Sequence, residues 1–214
     1  MYDFHTHSLL SDGCLLPSEL ARRYEEKGYN AIAITDHVDI SNIKRVVSEI
    51  VNFCENWPKN RIKVLPGIEL THIPLEQFSK LTKYARKHGI KIIVAHGESP
   101  IEPVVKGTNK AALNSDIDIL AHPGKITKED VLLAKKKNIF LEVTARKGHR
   151  QTNSHVIKMA RAYGANLIIN TDSHSPENIP APNELKKIAI KSGLSTKEIA
   201  KIYQNAQKRL IPNL

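Results

Sequence analysis

The chain has 214 residues, 41% of them hydrophobic, and two cysteines. That length supports one domain burying about 70% of its unfolded surface, and the composition excludes a disulfide scaffold, a collagen repeat and a disordered tail. Thirty-two Lys and Arg against 22 Asp and Glu leave a formal charge of +10 before ten histidines are counted, a balance that favours an anionic partner. No apolar run approaches the roughly 18 to 20 residues of a membrane-spanning helix, so no membrane partner is expected. The opening Met1-Tyr2-Asp3-Phe4-His5 has no charged-then-apolar leader, which points to the cytoplasm. Cys14 and Cys54 are too far apart for a CxxC clip and are expected as free thiols.

Short β-branched runs alternate with amphipathic stretches from end to end. In chain order the pattern predicts a strand over 2–4, a helix over 17–27, a strand over 31–35 and a helix over 41–56. It continues with a strand over 62–65, a helix over 75–88, a strand over 91–95 and a helix over 104–114. Then come a strand over 117–121, a helix over 128–137, a strand over 139–144, a helix over 154–163 and a strand over 166–170. A helical pair over 184–192 and 196–207 ends the series. Pro17 suits the first turn of its helix, and Gly28, Gly89 and Gly164 fall in C-terminal cap positions. No linker interrupts the alternation, so residues 1–214 are read as one α/β domain with a parallel sheet. Seven such strands fit an open doubly wound sheet or a closed barrel. A barrel draws functional groups from many strand ends, an open sheet from one switch point, and here nearly every strand ends in His, Asp or Glu.

Those ends carry the chemistry. The first strand runs into His5-Thr6-His7 and Ser11-Asp12-Gly13, the second into Thr35-Asp36-His37, and the third into Gly67-Ile68-Glu69. The fourth ends at His96, the fifth at His122-Pro123-Gly124 and the seventh at Thr171-Asp172-Ser173-His174. A lone strand-end histidine is usually a packing residue. Six of the ten in that position, with three carboxylates, exceed what one tetrahedral zinc uses and suit two or three divalent ions. His88, at a helix end, and His149 lie outside this set; His72 and His155 are read as structural or surface residues.

With these motifs in order, the sequence resembles the PHP (polymerase and histidinol phosphatase) domain family. The resemblance spans the chain and rests also on Ile34-Thr35-Asp36-His37, Pro66-Gly67-Ile68-Glu69-Leu70, Ala95-His96-Gly97, Ala121-His122-Pro123-Gly124 and Leu141-Glu142-Val143. It implies a distorted seven-stranded (β/α) TIM-like barrel with a trinuclear metal site at the C-terminal face. By that resemblance His5, His7, Glu69 and Asp172 hold a first ion, Glu69, His96 and His122 a second, and Asp12, His37 and His174 a third. Zinc, manganese and iron all fit this donor mix.

Such a site performs metal-assisted phosphoester hydrolysis, with a hydroxide lying between the first two ions as the expected nucleophile and the third ion holding a phosphate oxygen. His7 and Asp172 are expected to be indispensable to catalysis. The phosphate grip is sought after the sixth strand, at Arg146 and Arg150, with Lys125 a similar candidate; His149 suits a general acid. The expected substrate is a small-molecule phosphomonoester, histidinol phosphate being the best-known one in the family. A nucleotide or nucleic-acid phosphodiesterase is the alternative, and a non-catalytic RNA-binding or scaffold subunit a third reading. Aromatic residues make up 5% and do not interleave with the basic ones, which disfavours a single-stranded nucleic-acid partner. The 23 lysines among the 32 basic residues are dispersed over helix faces.

Overall fold

A computed structural model describes residues 1–212. It contains eight strands, β1 (Tyr2–Asp3), β2 (Ala31–Ile34), β3 (His37–Val38), β4 (Lys63–Leu70), β5 (Ile92–His96), β6 (Ile119–Ala121), β7 (Phe140–Thr144) and β8 (Leu167–Asn170). The helices are α1 (Pro17–Glu26), α2 (Ile43–Asn56), α3 (Phe78–Lys87), α4 (Thr108–Leu113), α5 (Lys128–Lys137), α6 (Asn153–Tyr163), α7 (Pro182–Lys191) and α8 (Thr196–Leu210). Seven strands pair in parallel in the order β1-β2-β4-β5-β6-β7-β8, and β3 adds beside β4 through His37 and Glu69. The ring is nearly closed. Beyond the ends of β1 and β8, Thr6 bridges Ser173 in parallel. There the His7 amide donates to the Ser173 carbonyl and the Asp172 amide to the His5 carbonyl, both at 2.9 Å. The seam therefore closes at the C-terminal ends of the strands, as a TIM-like barrel requires.

Alternation along each strand sorts its side chains. Tyr2, Phe4, Ala31, Ala33, Leu65, Ile92, Val94, Ile119, Ala121, Phe140 and Ile168 form one buried cluster inside the barrel, joined by Ala206 and Ile211 from the α8 end. Ile32, Ile34, Ile68, Ile93, Leu120, Leu141 and Ile169 face outward into the larger cluster beneath the helices. The inward parity continues upward: two residues beyond Val94 is His96, two beyond Phe140 is Glu142, two beyond Ile168 is Asn170, and four beyond Leu65 is Glu69. All four are buried.

Apart from shifts of one to three residues at element ends, four differences from the sequence pattern stand out. The third expected strand runs on to Leu70, so Glu69 lies within it rather than after it. Gly67 permits this close passage, since an added Cβ would sit 2.6 Å from the Thr35 methyl. The two-residue β3 lies where the sequence pattern predicts only the end of the second strand. Residues 75–77 form a 3-10 turn before α3. Helix α4 begins only at Thr108, because Glu98 Oε1 accepts the Gly107 and Asn109 amides and holds 97–107 as a loop. By contrast α5 spans its expected residues; Thr127 caps it by accepting from the Asp130 amide, and Asn138 ends it in the left-handed region. Cys14 and Cys54 are free thiols, and no helix among the described residues is long and apolar enough to cross a membrane.

Candidate metal centre

His5 and His7 leave β1 at the closing seam, where the chain is held from both sides. Below them, buried Asp3 accepts from the His5 and Thr171 amides and from the Tyr24 hydroxyl. Beside them, Asp36 accepts from the Ser8 amide at 2.8 Å and from the Ser8 and Ser11 hydroxyls at 2.7 Å, which fixes the turn carrying Asp12. Of the four non-glycine residues with positive φ among those described, His72, His122 and Asp172 stand at this mouth; strained backbone of this kind persists where the surroundings over-determine it.

The donors converge in overlapping groups. His5 Nε2 lies 3.4 Å from Glu69 Oε2 and 3.8 Å from Asp172 Oδ1, and His7 Nε2 lies 3.6 and 3.3 Å from the same two atoms. His122 Nε2 is 3.8 Å from Glu69 Oε1 and 3.7 Å from Asp172 Oδ2. Asp12 Oδ1 faces His37 Nε2 at 3.4 Å and His174 Nε2 at 3.3 Å. His96 stands apart from Glu69 and His122 in its grouping: its Nε2 lies 2.9 Å from Glu102 Oε2, although its ring centroid is 4.4 Å from that of His122.

Two observations fit this set to cations. His5 Nε2, His7 Nε2 and Glu69 Oε1 are buried without a hydrogen-bond partner, a costly state for a native interior unless an ion satisfies them. His5 Nδ1 donates to Glu142 Oε1 at 2.7 Å, and Glu142 also accepts from the Asn170 amide group and the His122 backbone. This is the carboxylate–histidine arrangement that turns the other ring nitrogen toward a metal. Burial holds His7 and His122 well below the ordinary histidine value, neighbouring His37 and His96 adding to it, so both keep free lone pairs. Burial opposes a charge on His5, but Glu142, Glu69 and Asp172 outweigh it and raise the group. Burial would raise Glu69 too, yet His5 and His37 hold it well below the carboxylate range. Asp172 is pushed up to about 6 by burial, with His5 pulling against it.

The chain matches the PHP domain over residues 3–154. It belongs to the PHP domain family. PHP domains are metal-dependent phosphoesterases, and the buried His, Asp and Glu groups of this one suit that dependence. An uncharacterised protein of Methanocaldococcus jannaschii is 42% identical over 216 residues, which span 100% of this chain and 99% of that one. A probable phosphatase of Thermoanaerobacter sp. is 26% identical over 90% of this chain and 86% of its own. Among solved structures, a chain of archaeal ribonuclease P with mature tRNA superposes with a TM-score of 0.65 at 17% identity, covering 99% of this chain and 94% of that one. At that identity the likeness concerns the fold.

Around the PHP donor set, the other residues singled out from the sequence are less uniform. Arg146 lines the mouth and donates from Nη1 to the Asp172 carbonyl at 3.0 Å. His149 is buried, stacked on His122 at 4.1 Å, with Nδ1 2.7 Å from the Ser99 hydroxyl. Arg150 and Lys125 are exposed and lie outside the residues lining that cavity. His155 is a packing residue whose Nε2 donates to the Ile126 carbonyl. Glu142 and Glu102 received no role from the sequence. Glu142 was findable by counting two residues from Phe140 along β7; Glu102 lies in a loop, where no periodicity marks it.

Proposed function

We propose that this PHP domain protein is a metal-dependent phosphatase of small-molecule phosphomonoesters. The observation that carries the reading is that Asp12, His37, His96, His122, Asp172 and His174 line one polar cavity that also receives an arginine, beside buried His5, His7 and Glu69 with orphaned ligand atoms. His5, His7, Glu69 and Asp172 would hold one ion, Glu69, His96 and His122 another, and Asp12, His37 and His174 a third. Bound divalent ions would activate a water near neutral pH and offset phosphoryl charge.

The chain's own groups do the rest. The cavity measures about 250 Å³ and adjoins one of about 430 Å³ lined by Ala145, Arg146, Lys147, Thr171, Asp172 and Ile188, among others. Arg146 and Asp172 belong to both walls. A phosphoryl group in the smaller space would meet the Arg146 guanidinium, whose planar fork matches phosphate oxygens, and the leaving group would occupy the larger. His149, within the smaller cavity, is suited to pass a proton to the leaving oxygen. The probable phosphatase among the relatives supports the monoester assignment.

The deciding experiment compares aryl and sugar phosphomonoesters, aryl phosphodiesters and single-stranded DNA as substrates with added manganese or zinc. Preferential monoester turnover is expected. Faster cleavage of diesters or DNA would replace this reading with the nucleolytic one, and no turnover of any with metal bound would leave a non-catalytic role.

A further inference from the structure

At the foot of the barrel, away from the metal centre, the longest strand is left partly uncovered. β4 pairs with β2 from Lys63 to Pro66, but its pairing with β5 begins only at Gly67, opposite Ile92. The last link below that point is the Lys91 amide, which donates to the Pro66 carbonyl at 2.9 Å; Pro66 has no N–H to return. The Lys63 amide donates toward β2, at the Asn30 carbonyl, so strand alternation turns the Val64 amide and carbonyl to the open side. The chain enters β5 from the turn at Gly89, at φ 97°, too late to cover Val64.

A cavity of about 680 Å³ occupies this gap. Its apolar wall comes from Val51, Cys54 and Trp57 at the end of α2 and from Val64, Leu65 and Pro66 of β4. The Trp57 ring is fixed in place: Nε1 donates to the Ile62 carbonyl at 2.9 Å, and the Phe53 ring lies 5.3 Å away. Leu65 precedes Glu69 by four residues, about 13 Å along the strand, and the cavity shares no lining residue with either cavity at the mouth. Its volume and mixed lining are those of a small-molecule site.

The charges around it are one-sided. Lys59, Lys63 and Lys91 line the cavity without a carboxylate partner among the described residues, against the single acid Glu55. Arg61, also in the wall, is taken up by Glu25, which accepts from its Nε and Nη2. An apolar ligand would leave three ammonium groups unanswered, and an inorganic anion would leave the indole and the aliphatic wall unanswered. A hydrophobic ring with an anionic head complements both.

We propose that this cavity is a second binding site, taking a small aromatic carboxylate. The ring lies against Trp57, and the carboxylate meets the Lys59, Lys63 and Lys91 ammonium groups, with the Val64 amide as a neutral donor. The site uses none of the nine candidate metal ligands, so it stands or falls independently of the phosphatase reading.

Trp57 is the only tryptophan of the chain, so its indole N–H gives a single cross-peak in a proton–nitrogen correlation spectrum. The full chain is titrated with anilinonaphthalene sulfonate, whose sulfonate mimics the carboxylate, and with phenylnaphthylamine, the same rings without the charge. The sulfonate is expected to move the indole cross-peak saturably and to bind at least about tenfold more tightly than the uncharged probe. Lys63→Gln combined with Lys91→Gln should abolish most of that difference while leaving the affinity for the uncharged probe unchanged, which also reports that the variant folds. An indole cross-peak that stays still while the sulfonate binds would overturn the site. Equal affinities for the two probes, or a variant that binds the sulfonate as tightly as wild type, would overturn its assignment to an anion.

Discussion

Glu142 Oε1 accepts a 2.7 Å hydrogen bond from His5 Nδ1, and this contact selects the ring nitrogen that His5 turns toward Glu69 and Asp172. The same carboxylate receives the His122 amide through Oε2, so one side chain orients two candidate ligands. Replacing Glu142 with alanine is expected to weaken metal binding about 10- to 100-fold, as loss of an outer hydrogen-bonding partner does elsewhere. Competition with a chromophoric chelator measures it. Unchanged affinity would mean that packing alone orients His5.

His7 and Asp172 face each other at 3.3 Å inside the buried cluster. His7→Gln and Asp172→Asn are each expected to abolish hydrolysis of an aryl phosphate while leaving far-UV circular dichroism intact. Stripping metal from the wild type should do the same, reversibly. Turnover persisting in the metal-free protein would remove the metal-hydrolase reading.

Proton and metal compete for the same nitrogens, and the sign of that competition follows from His5 and His37. Both are raised above the ordinary histidine value, burial opposing and neighbouring carboxylates prevailing. A raised group stabilises the metal-free native state below its unfolded value near 6.5, and that contribution is lost as pH rises through the native value. Metal needs the neutral ring, so it stabilises most at higher pH. The rise in melting temperature on adding zinc should therefore shrink steadily from pH 8 to pH 6. A constant or growing increment would contradict the assignment of His5 and His37 as ligands.

The candidate ion-holding residues are legible because each sits in a local motif at the end of a short apolar run, where chain order and strand direction together predict the C-terminal mouth. The barrel was legible only through those residues, since periodicity does not distinguish a closed ring from an open sheet. What escaped was set by tertiary context. Glu142 is enclosed in an apolar strand, where a charged residue carries no turn or cap signal, and its role appears only once β7 is known to point it inward. Helix α4 begins late because Glu98 withdraws the Gly107 and Asn109 amides into a loop brace, a long-range choice that helical propensity does not record. Arg150 and Lys125 lie close in sequence to mouth residues, yet a 3-10 turn at 149–152 and the exposed stretch after Gly124 put them outside the cavity lining.

Arg146 touches both the Asp172 carbonyl and the His174 ring, so its substitution must be read against metal content. Arg146→Lys keeps a cation and removes the planar fork. A charge-assisted hydrogen bond is worth about 1.5 to 3 kcal/mol, which corresponds to at least about a tenfold rise in KM for phosphomonoesters. Diesters, with one fewer ionised oxygen, should be affected less. Equal effects on both substrate classes at full metal occupancy would take Arg146 out of the monoester grip.

Tyr24, fully buried on α1, ties the seam beneath the candidate metal centre. Its hydroxyl lies 2.9 Å from Asp3 Oδ2 and 2.8 Å from both Thr171 Oγ1 and Ser173 Oγ, linking the β1 carboxylate to the segment that carries Asp172. Burial raises Asp3 to about 6 despite these donors, so withdrawing one leaves a buried carboxylate less satisfied. Tyr24→Phe preserves the ring packing and removes only the hydroxyl, at an expected cost of about 1 to 3 kcal/mol. In urea the midpoint should fall with an unchanged slope, since the surface exposed on unfolding is the same. A loss below about 0.5 kcal/mol, the range of ordinary surface changes, would show that the His5 and Thr171 amides hold Asp3 without help from the helix.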